Sequence, residues 1–347
     1  MDSAFDAFRQ AHRIAFGPLT FQAVRVARDR GLLAALEDHA AAGLTPEEAA
    51  GATGLGVYAA KVLLEGCDSA GAVEESAGRY RLSPVGTILL HDDLVRVNMN
   101  FTHDVCYQGA FHLEESIAGG RPAGLKVFGG WDTIYQGLLE LPAQVRRSWL
   151  DFDHHYSDGA FPAALAAVFD RPVARLLDVG GNTGKWALLC LRGRPGTEVT
   201  ILDHPRQLEA ALANAAAAGV QDRLVARTVD LLDASQAFPR GFDVVWMSQL
   251  LDCFGDAEVL SLLQRGRAAL APGGRLMVLE PCWDRQPNAA ARDSVEATSL
   301  YFTCMANGNS RMFHSSDLHR NFAAAGLKPM LEQQHGFHTL FSCEAAG

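Results

Sequence analysis

Apolar residues recur at helical spacing through residues 5–39: in FQAVRVARDRGLLAALEDH, Phe21, Val24, Leu32, Leu33 and Leu36 share faces. Thr45 then reads as an N-cap, with Pro46 at the first helical position and Glu48 at the third, a capping box. A Gly-rich turn at 54–56 starts a second short helix over 57–70, and EESAGRYRLSPVGTILL reads as a β-ribbon turning near Gly78. Helix, turn, helix and ribbon make a winged-helix pattern. Residues 98–160 form a mixed helical stretch rich in histidine and aromatics.

From residue 172 the texture changes to alternating strands and helices. RLLDVGG is a strand into a glycine turn, TGKWALLCLRG a helix, EVTILDH a strand and PRQLEAALANAAAAG a helix ending at Gly219. RLVARTVDLL and FDVVWMSQLL read as strands, DAEVLSLLQRGRAALAPGG as a helix stopped by Pro272-Gly273-Gly274, and RLMVLEP as a strand. The end, GLKPMLEQQHGFHTLFSCEA, reads as an antiparallel pair. Such alternation predicts an α/β Rossmann-like domain with a mostly parallel, doubly wound sheet and an antiparallel C-terminal strand. The expected organisation is a mostly helical winged-helix domain over 1–97, a helical linker over 98–165 and the Rossmann-like domain over 166–347.

Composition narrows the function. The 347 residues carry a net charge of −10, which argues against a broad nucleic-acid footprint and against an anionic membrane surface. Seven cysteines with no C-x-x-C suggest neither a metal site nor a disulfide framework, and predict reduced thiols in a cytoplasmic protein. No apolar run approaches the ~18 residues of a membrane span, and no signal-peptide pattern opens the chain.

The stretch LLDVGGNTG carries the first candidate chemistry. A strand ends at Asp178, and Gly180, Gly181 and Gly184 follow before a helix. Glycines let a backbone approach a ligand and adopt positive φ. Asp203 ends the next strand, 19 residues past Gly184, where an acid grips ribose hydroxyls. NAD and S-adenosylmethionine both fit such an acid, whereas a P-loop is excluded because no Gly-Lys-Ser/Thr follows. The turn departs from G-x-G-x-x-G at Asn182, a residue that tolerates left-handed dihedrals.

The ordered set LTPEEAAGATGL, YRLSPVGTILL, LLDVGGNTG, TILDHP, VDLL, MSQLLDCFGDAEV, APGGRLMVLEP and NGNSRMFHSSDLHRNFAAAGL resembles the plant-type and bacterial small-molecule O-methyltransferases, along nearly the whole chain. The resemblance implies S-adenosylmethionine as cofactor, no metal, a small aromatic substrate, and a homodimer formed through the N-terminal domain. It implies that Gly180 and Gly181 face the methionine part of the cofactor, that Asp178 and Asn182 are also cofactor-binding, and that Asp203 takes the ribose hydroxyls. Asp230 and Leu231 would sit beside adenine, Ser248 and Gln249 on the sulfonium side, and Tyr156 and Ser157 on an upstream helix touching the cofactor.

The pattern then breaks. The family's usual Leu-His-Asp-Trp is here Leu251-Asp252-Cys253-Phe254, so Asp252 stands at the catalytic histidine position. Glu280 matches one acidic helper, and the second falls near Ser310. Free phenol has a pKa of about 10, against about 6.5 for His and about 3.9 for Asp, so complete proton transfer costs roughly 5 kcal/mol to His and roughly 8 to an ordinary Asp. The alternatives are another histidine (His154, His155, His103 or His314), an acceptor already ionised such as a carboxylate, or an activated ring carbon. Phe101, His103, Tyr107, Trp131, Tyr301, Phe302, Met305, Met312 and His314 are candidates for the acceptor pocket, though each reads equally well as core.

Two other classes compete. A winged-helix regulator needs basic or amide side chains on VYAAKVLLEGCDSAG, which has one Lys and no Arg. A nicotinamide dehydrogenase needs a substrate domain after the nucleotide fold, but only about 163 residues follow Gly184. The preferred expectation is methyl transfer to oxygen of a phenolic or aromatic-acid metabolite, with methylation of a ring carbon or a carboxyl as the alternative.

Overall fold

The computed structural model describes residues 4–157 and 159–346, the side chain of Ser157 excepted. The chain divides into two compact units between Thr102 and His103.

The first unit is helical with one small ribbon. It runs α1 (Ala4–Asp29), α2 (Leu32–Asp38), α3 (Pro46–Thr53), α4 (Val57–Ala70), β1 (Val73–Ser76), β2 (Arg79–Leu82), α5 (Pro84–His91) and α6 (Asp93–Phe101). Gly31, at φ 77°, breaks the periodic run of residues 5–39 into α1 and α2. Leu32, Leu33, Leu36, Leu64 and Cys67 fill the core of this unit. The capping box forms as its spacing predicts: Thr45 Oγ1 accepts from the Glu48 N–H at 3.3 Å, and Glu48 Oε2 accepts from the Thr45 N–H at 2.9 Å. The ribbon is shorter than expected. SPVGTILL is not strand but α5, because Ser83 caps it by accepting the Gly86 N–H at 3.1 Å and Pro84 takes the first helical position.

The second unit begins with short helices: α7 (Leu113–Gly119), α8 (Ile134–Gly137), α9 (Ala143–Ser157) and α10 (Phe161–Val168). Then come β3 (Arg175–Val179), α11 (Lys185–Gly193), β4 (Glu198–Asp203), α12 (Pro205–Ala217), β5 (Leu224–Thr228), β6 (Phe242–Ser248), α13 (Asp256–Ala269) and β7 (Leu270–Glu280). The unit closes with α14 (Ala289–Tyr301), α15 (Ser315–Ala324), β8 (Leu327–His335) and β9 (His338–Ala345). The sheet order is β5-β4-β3-β6-β7-β9-β8. Neighbours from β5 to β7 run parallel, and β9 pairs antiparallel with both β7 and β8.

One apolar layer packs on each face of this sheet, as β-branched and leucine-rich strands buried on both sides require. Leu177, Val179, Val245, Met247 and Val278 face one layer, and Leu176, Ile201, Trp246, Met277 and Leu279 the other. Trp186 and Trp246 stack at 4.2 Å between ring centroids within the second layer. Two strand boundaries differ from expectation. β5 ends at Thr228, so Asp230 and Leu231 lie in a turn beyond it. α13 ends at Ala269, and the Pro272-Gly273-Gly274 stretch lies inside the irregular start of β7, where the register shifts between Phe242 and Val244. Strand order reverses between β3 and β6, and in such sheets ligands sit at the carboxyl ends of the strands at that reversal. Among the described residues no helix is long and apolar enough to cross a membrane.

Two glycines in the first unit respond oppositely to a methyl group. A Cβ on Gly86 would stand 2.1 Å from the Ala72 carbonyl oxygen, whereas one on Gly51 in α3 meets nothing within 4 Å. Gly86→Ala is expected to cost about 2 kcal/mol or more through overpacking, and Gly51→Ala to stabilise by roughly 0.5–1 kcal/mol through helix propensity. Urea denaturation of the two variants checks both signs.

Candidate active site

The glycine turn follows β3. Gly180, at φ 72°, donates its N–H to Leu202 O at 2.8 Å, and Gly184, at φ 80°, donates to Gly181 O at 2.9 Å. Asn182 adopts φ 49°, so the left-handed position is kept without glycine. A side chain on Gly181 would have its Cβ 2.6 Å from Asp178 Oδ2, so only glycine leaves this cradle open. Asp203, at the end of β4, accepts the Asn182 N–H at 2.8 Å and the His204 N–H at 2.7 Å. Burial raises the Asp203 carboxyl, opposed by these two backbone donors. Asp178 is raised further, to about 8, by burial and then by the nearby Asp203 charge. The turn thus offers an open backbone with a hydrogen-bond-accepting carboxylate beside it, an arrangement suited to a nucleoside diol.

The second half of the site lies at the ends of β6 and β7. Glu280 closes β7, is 0% exposed, and its Oε1 accepts the N–H groups of both Leu250 (2.9 Å) and Leu251 (2.8 Å). That clamp fixes the tight turn after β6, where Gln249 is held at φ 47° and donates its N–H to Leu279 O at 2.9 Å. Asp252 comes next on the turn and is 4% exposed. Its Oδ1 lies 3.5 Å from the Cys253 thiol, and Asn307 Nδ2 donates to the Cys253 carbonyl. Burial raises the Asp252 carboxyl to about 7, aided by the Asp153 charge from α9. Burial also raises Glu280, aided by Asp252.

Three buried oxygens at this carboxyl edge have no hydrogen-bond partner among the described residues: Asp178 Oδ2, Ser248 Oγ and Glu280 Oε2. Buried polar atoms are rarely left so, and their grouping at the strand ends marks a place where a ligand supplies partners. With the Gly181 cradle and the Asp203 carboxylate, the residues present fit an adenosine-bearing cofactor.

Two buried tyrosine hydroxyls lie near the Asp252–Cys253 turn. The Tyr135 hydroxyl hydrogen-bonds to the Cys253 thiol, and burial pushes the phenol far up. Trp149 Nε1 on α9 donates to Tyr301 Oη at 2.7 Å. Helix α9 divides its faces: Trp149 and Asp153, one turn apart, turn toward Tyr301 and Asp252. His154 lies 3.4 Å from Lys185 Nζ, at the start of α11. Tyr156 packs between Phe152 (4.9 Å) and Phe337 (5.1 Å). Sequence reasoning passed over Asp153, Tyr135 and Trp149; helical phase on α9 was the signal for Asp153 and Trp149.

The remaining candidates have other surroundings. His155 is exposed, and its ring lies edge-on to Tyr156 at 6.3 Å. His314 caps α15 by accepting the Ser316 N–H at 3.1 Å and stands edge-on to Trp283. Trp131 covers Gly129 and Gly137, and the fully buried Met305 packs on Gly109. His103 and Tyr107 are half-buried neighbours with rings 6.3 Å apart. Phe302 and Met312 are buried, and Phe101 belongs to the first unit. Asp230 is exposed and accepts the Leu232 N–H at 2.9 Å, while Leu231 O accepts from Arg265. Ser310, where the family's second acid falls, donates to Asn307 Oδ1 at 2.8 Å and so steadies the residue that holds Cys253. The Ser157 side chain lies outside the described residues.

Comparison with known proteins agrees with this geometry. A model of the O-methyltransferase domain matches residues 155–328, and one of the Dimerisation2-like domain matches residues 8–80. The L-tyrosine C(3)-methyltransferase of Streptomyces lavendulae is 27% identical over 331 residues, 93% of this chain and 88% of that protein. The 3-amino-4-hydroxybenzoate 4-O-methyltransferase of Streptomyces cremeus is 32% identical over 266 residues, 75% of this chain and 69% of that protein. Among solved structures, the apo form of the S-adenosylmethionine-dependent methyltransferase SibL superposes with a TM-score of 0.70 at 26% identity, covering 96% of this chain and 98% of its own. With the glycine cradle, the strand-end acids and these matches together, the chain belongs to the S-adenosylmethionine-dependent O-methyltransferase family.

Proposed function

We propose that the protein methylates a small hydroxylated aromatic metabolite on oxygen, with Asp252 as the group that takes the acceptor's proton. The observation that carries this reading is the buried Asp252 on its Glu280-clamped turn. An ordinary carboxylate is a poor base for phenol. With Asp252 raised to about 7, complete proton transfer from a phenol costs about 4 kcal/mol, no more than the roughly 5 to a free histidine. Burial restores at this position the basicity that a histidine has without it.

When bound, the cofactor supplies an electrophilic methyl carbon on a positively charged sulfur. Gly180, Gly181 and Asn182 would hold its methionine end, Asp203 its ribose hydroxyls, Asp230 and Leu231 its adenine, and Ser248, Gln249 and Tyr156 the sulfonium side. Glu280 positions the Asp252 turn, and Tyr135, Tyr301 and Trp149 line the acceptor side. Asp252 would take the acceptor's hydroxyl proton and leave an oxygen nucleophile facing the methyl the cofactor would supply. Most of the rate gain comes from holding oxygen and methyl in line in a site closed to water.

A second reading places the methyl on a ring carbon ortho to the hydroxyl. The tyrosine C-methyltransferase relative, aligned over 93% of the chain, favours it. Asp252 would then take the ring proton. The assembly follows from α1, where Phe5, Phe8, Ile14 and Leu19 are more than half exposed and form a surface suited to a second copy. The matched Dimerisation2-like domain supports a homodimer, and sedimentation velocity of the full chain should give twice the monomer mass.

Mass spectrometry of a panel of phenols incubated with S-adenosylmethionine tests the reaction, and proton–carbon correlation of any product separates a methoxy from a ring methyl. Asp252→Asn should lower kcat by at least about 100-fold while leaving cofactor affinity within roughly threefold. In the wild type kcat/KM should rise with pH through about 7, because Asp252 acts only when ionised. Gly181→Ala should weaken S-adenosylmethionine binding about tenfold or more in calorimetry, since its Cβ closes the cradle.

A further inference from the structure

A buried cation holds the loop after β5 from below. Residues 230–236 follow that strand at the carboxyl edge of the sheet, and Arg265 reaches them from α13. Arg265 is 9% exposed. Its Nη2 donates to Leu231 O, and its Nη1 donates to Asp233 O at 3.2 Å and Gln236 O at 3.3 Å. Its guanidinium lies over the buried Phe238 ring, 4.7 Å from the centroid. Taking a cation out of water is costly, so a buried guanidinium devoted to the main chain of one loop calls for a reason.

The loop is also tied within itself. Gln236 Oε1 accepts the Asp230 N–H at 3.1 Å, and Gln236 Nε2 donates to Asp233 Oδ2 at 3.0 Å. Asp230 Oδ1 accepts the Leu232 N–H at 2.9 Å, and Asp233 Oδ1 accepts the Ser235 N–H at 3.0 Å, two Asx-type turns. These bonds stay inside the loop, whereas Arg265 ties it to α13. The three oxygens it holds belong to residues 231, 233 and 236, so one planar fork grips the start, middle and end of the segment. A lysine ammonium is a point charge on a flexible stem and offers no such fork. Surface loops are ordinarily among the more mobile parts of a fold, and this one is fastened throughout.

We propose that Arg265 is a positioning residue for the cofactor: it holds residues 230–236 in the shape that receives adenine, without touching the ligand. This rests on the S-adenosylmethionine reading of the site, in which Asp230 and Leu231 lie beside adenine. The Asp230 N–H and the Leu231 carbonyl are occupied within the protein, which leaves the exposed Asp230 carboxyl and the half-buried Leu231 side chain for the base. A loop already ordered in the free protein loses less entropy when the ligand binds. Loosening it therefore lowers cofactor affinity and leaves the chemistry at Asp252 as it was.

Calorimetry and hydrogen exchange on the full chain test this. The probes are S-adenosylhomocysteine and methylthioadenosine, which carries the adenosine without the amino-acid end. In Arg265→Lys both should bind about tenfold more weakly, by a common factor, because the loss lies at the adenosine. In the same variant without ligand, the amides of Asp230, Leu232, Ser235 and Gln236 should exchange faster, while those of β3 and β4 keep their wild-type protection. In turnover the KM for S-adenosylmethionine should rise, with kcat and the acceptor's KM held within about twofold. Gln236→Met removes the inner ties, leaves Arg265 in place, and should weaken both ligands in the same direction; it decides the matter if Arg265→Lys does not fold. Unchanged affinity for both ligands in the folded variant overturns the proposal, as does a loss for S-adenosylhomocysteine that spares methylthioadenosine. So does exchange that quickens in β3 and β4 as much as in the loop, the mark of a merely structural role. A wild type that binds neither ligand overturns the cofactor reading itself, whatever Arg265 does to the loop.

Discussion

The site depends on one interaction: Glu280 at the end of β7 accepting the N–H groups of Leu250 and Leu251. Two amide N–H groups donating to one oxygen of a fully buried carboxyl hold a turn that a non-glycine residue at positive φ, Gln249, also strains. Everything downstream is set by that turn. It aims Asp252 inward, brings Cys253 within reach of Tyr135 and Asn307, and presses Leu250 against the open face of Gly180. A clamp from a neighbouring parallel strand is rigid because the sheet itself is rigid. Its register, Ser248 opposite Leu279, fixes how far Glu280 reaches.

Burial raises both acids at the strand ends, but their hydrogen bonds offset it unequally. Asp203 keeps two backbone donors, which offset part of its desolvation, and it remains suited to accepting hydroxyls. For Asp252 the loss of water outweighs the Cys253 thiol and a backbone donor, so its affinity for a proton climbs. One residue type thus carries differently tuned carboxyls at two strand ends. A histidine replaced by an acid looks in the sequence like a lost catalyst. In the fold it is a buried carboxyl whose proton affinity its surroundings raise.

Much of this was legible in the chain. The alternation of strand and helix, the glycine turn and the acid one strand later follow from periodicity and from the few residues that tolerate positive φ, and the sheet has that order. The capping box at Thr45 was legible for the same reason: its chemistry is local. The helix at 84–91 was missed because β-branched and leucine residues outweighed the Ser83-Pro84 start signal. Where long-range packing decides, spacing is silent. Trp131 and Met305 look like pocket residues in sequence but fill space over glycines. His154 and Asp153 are adjacent in DFDHHYS, and only the phase of α9 sends one toward Lys185 and the other toward Asp252. The protonation of Asp252 was beyond reach, since it depends on water excluded by residues far apart in the chain.

The central claim is that Asp252, rather than any histidine, receives the acceptor's proton. The most direct measurement is a crystal structure of the protein with S-adenosylhomocysteine and a phenol it methylates. The account predicts the phenol oxygen within hydrogen-bonding distance of an Asp252 carboxylate oxygen, with Glu280 still bound to the Leu250 and Leu251 amides. A phenol oxygen bound instead to His103 or His154, with Asp252 turned away, would contradict it.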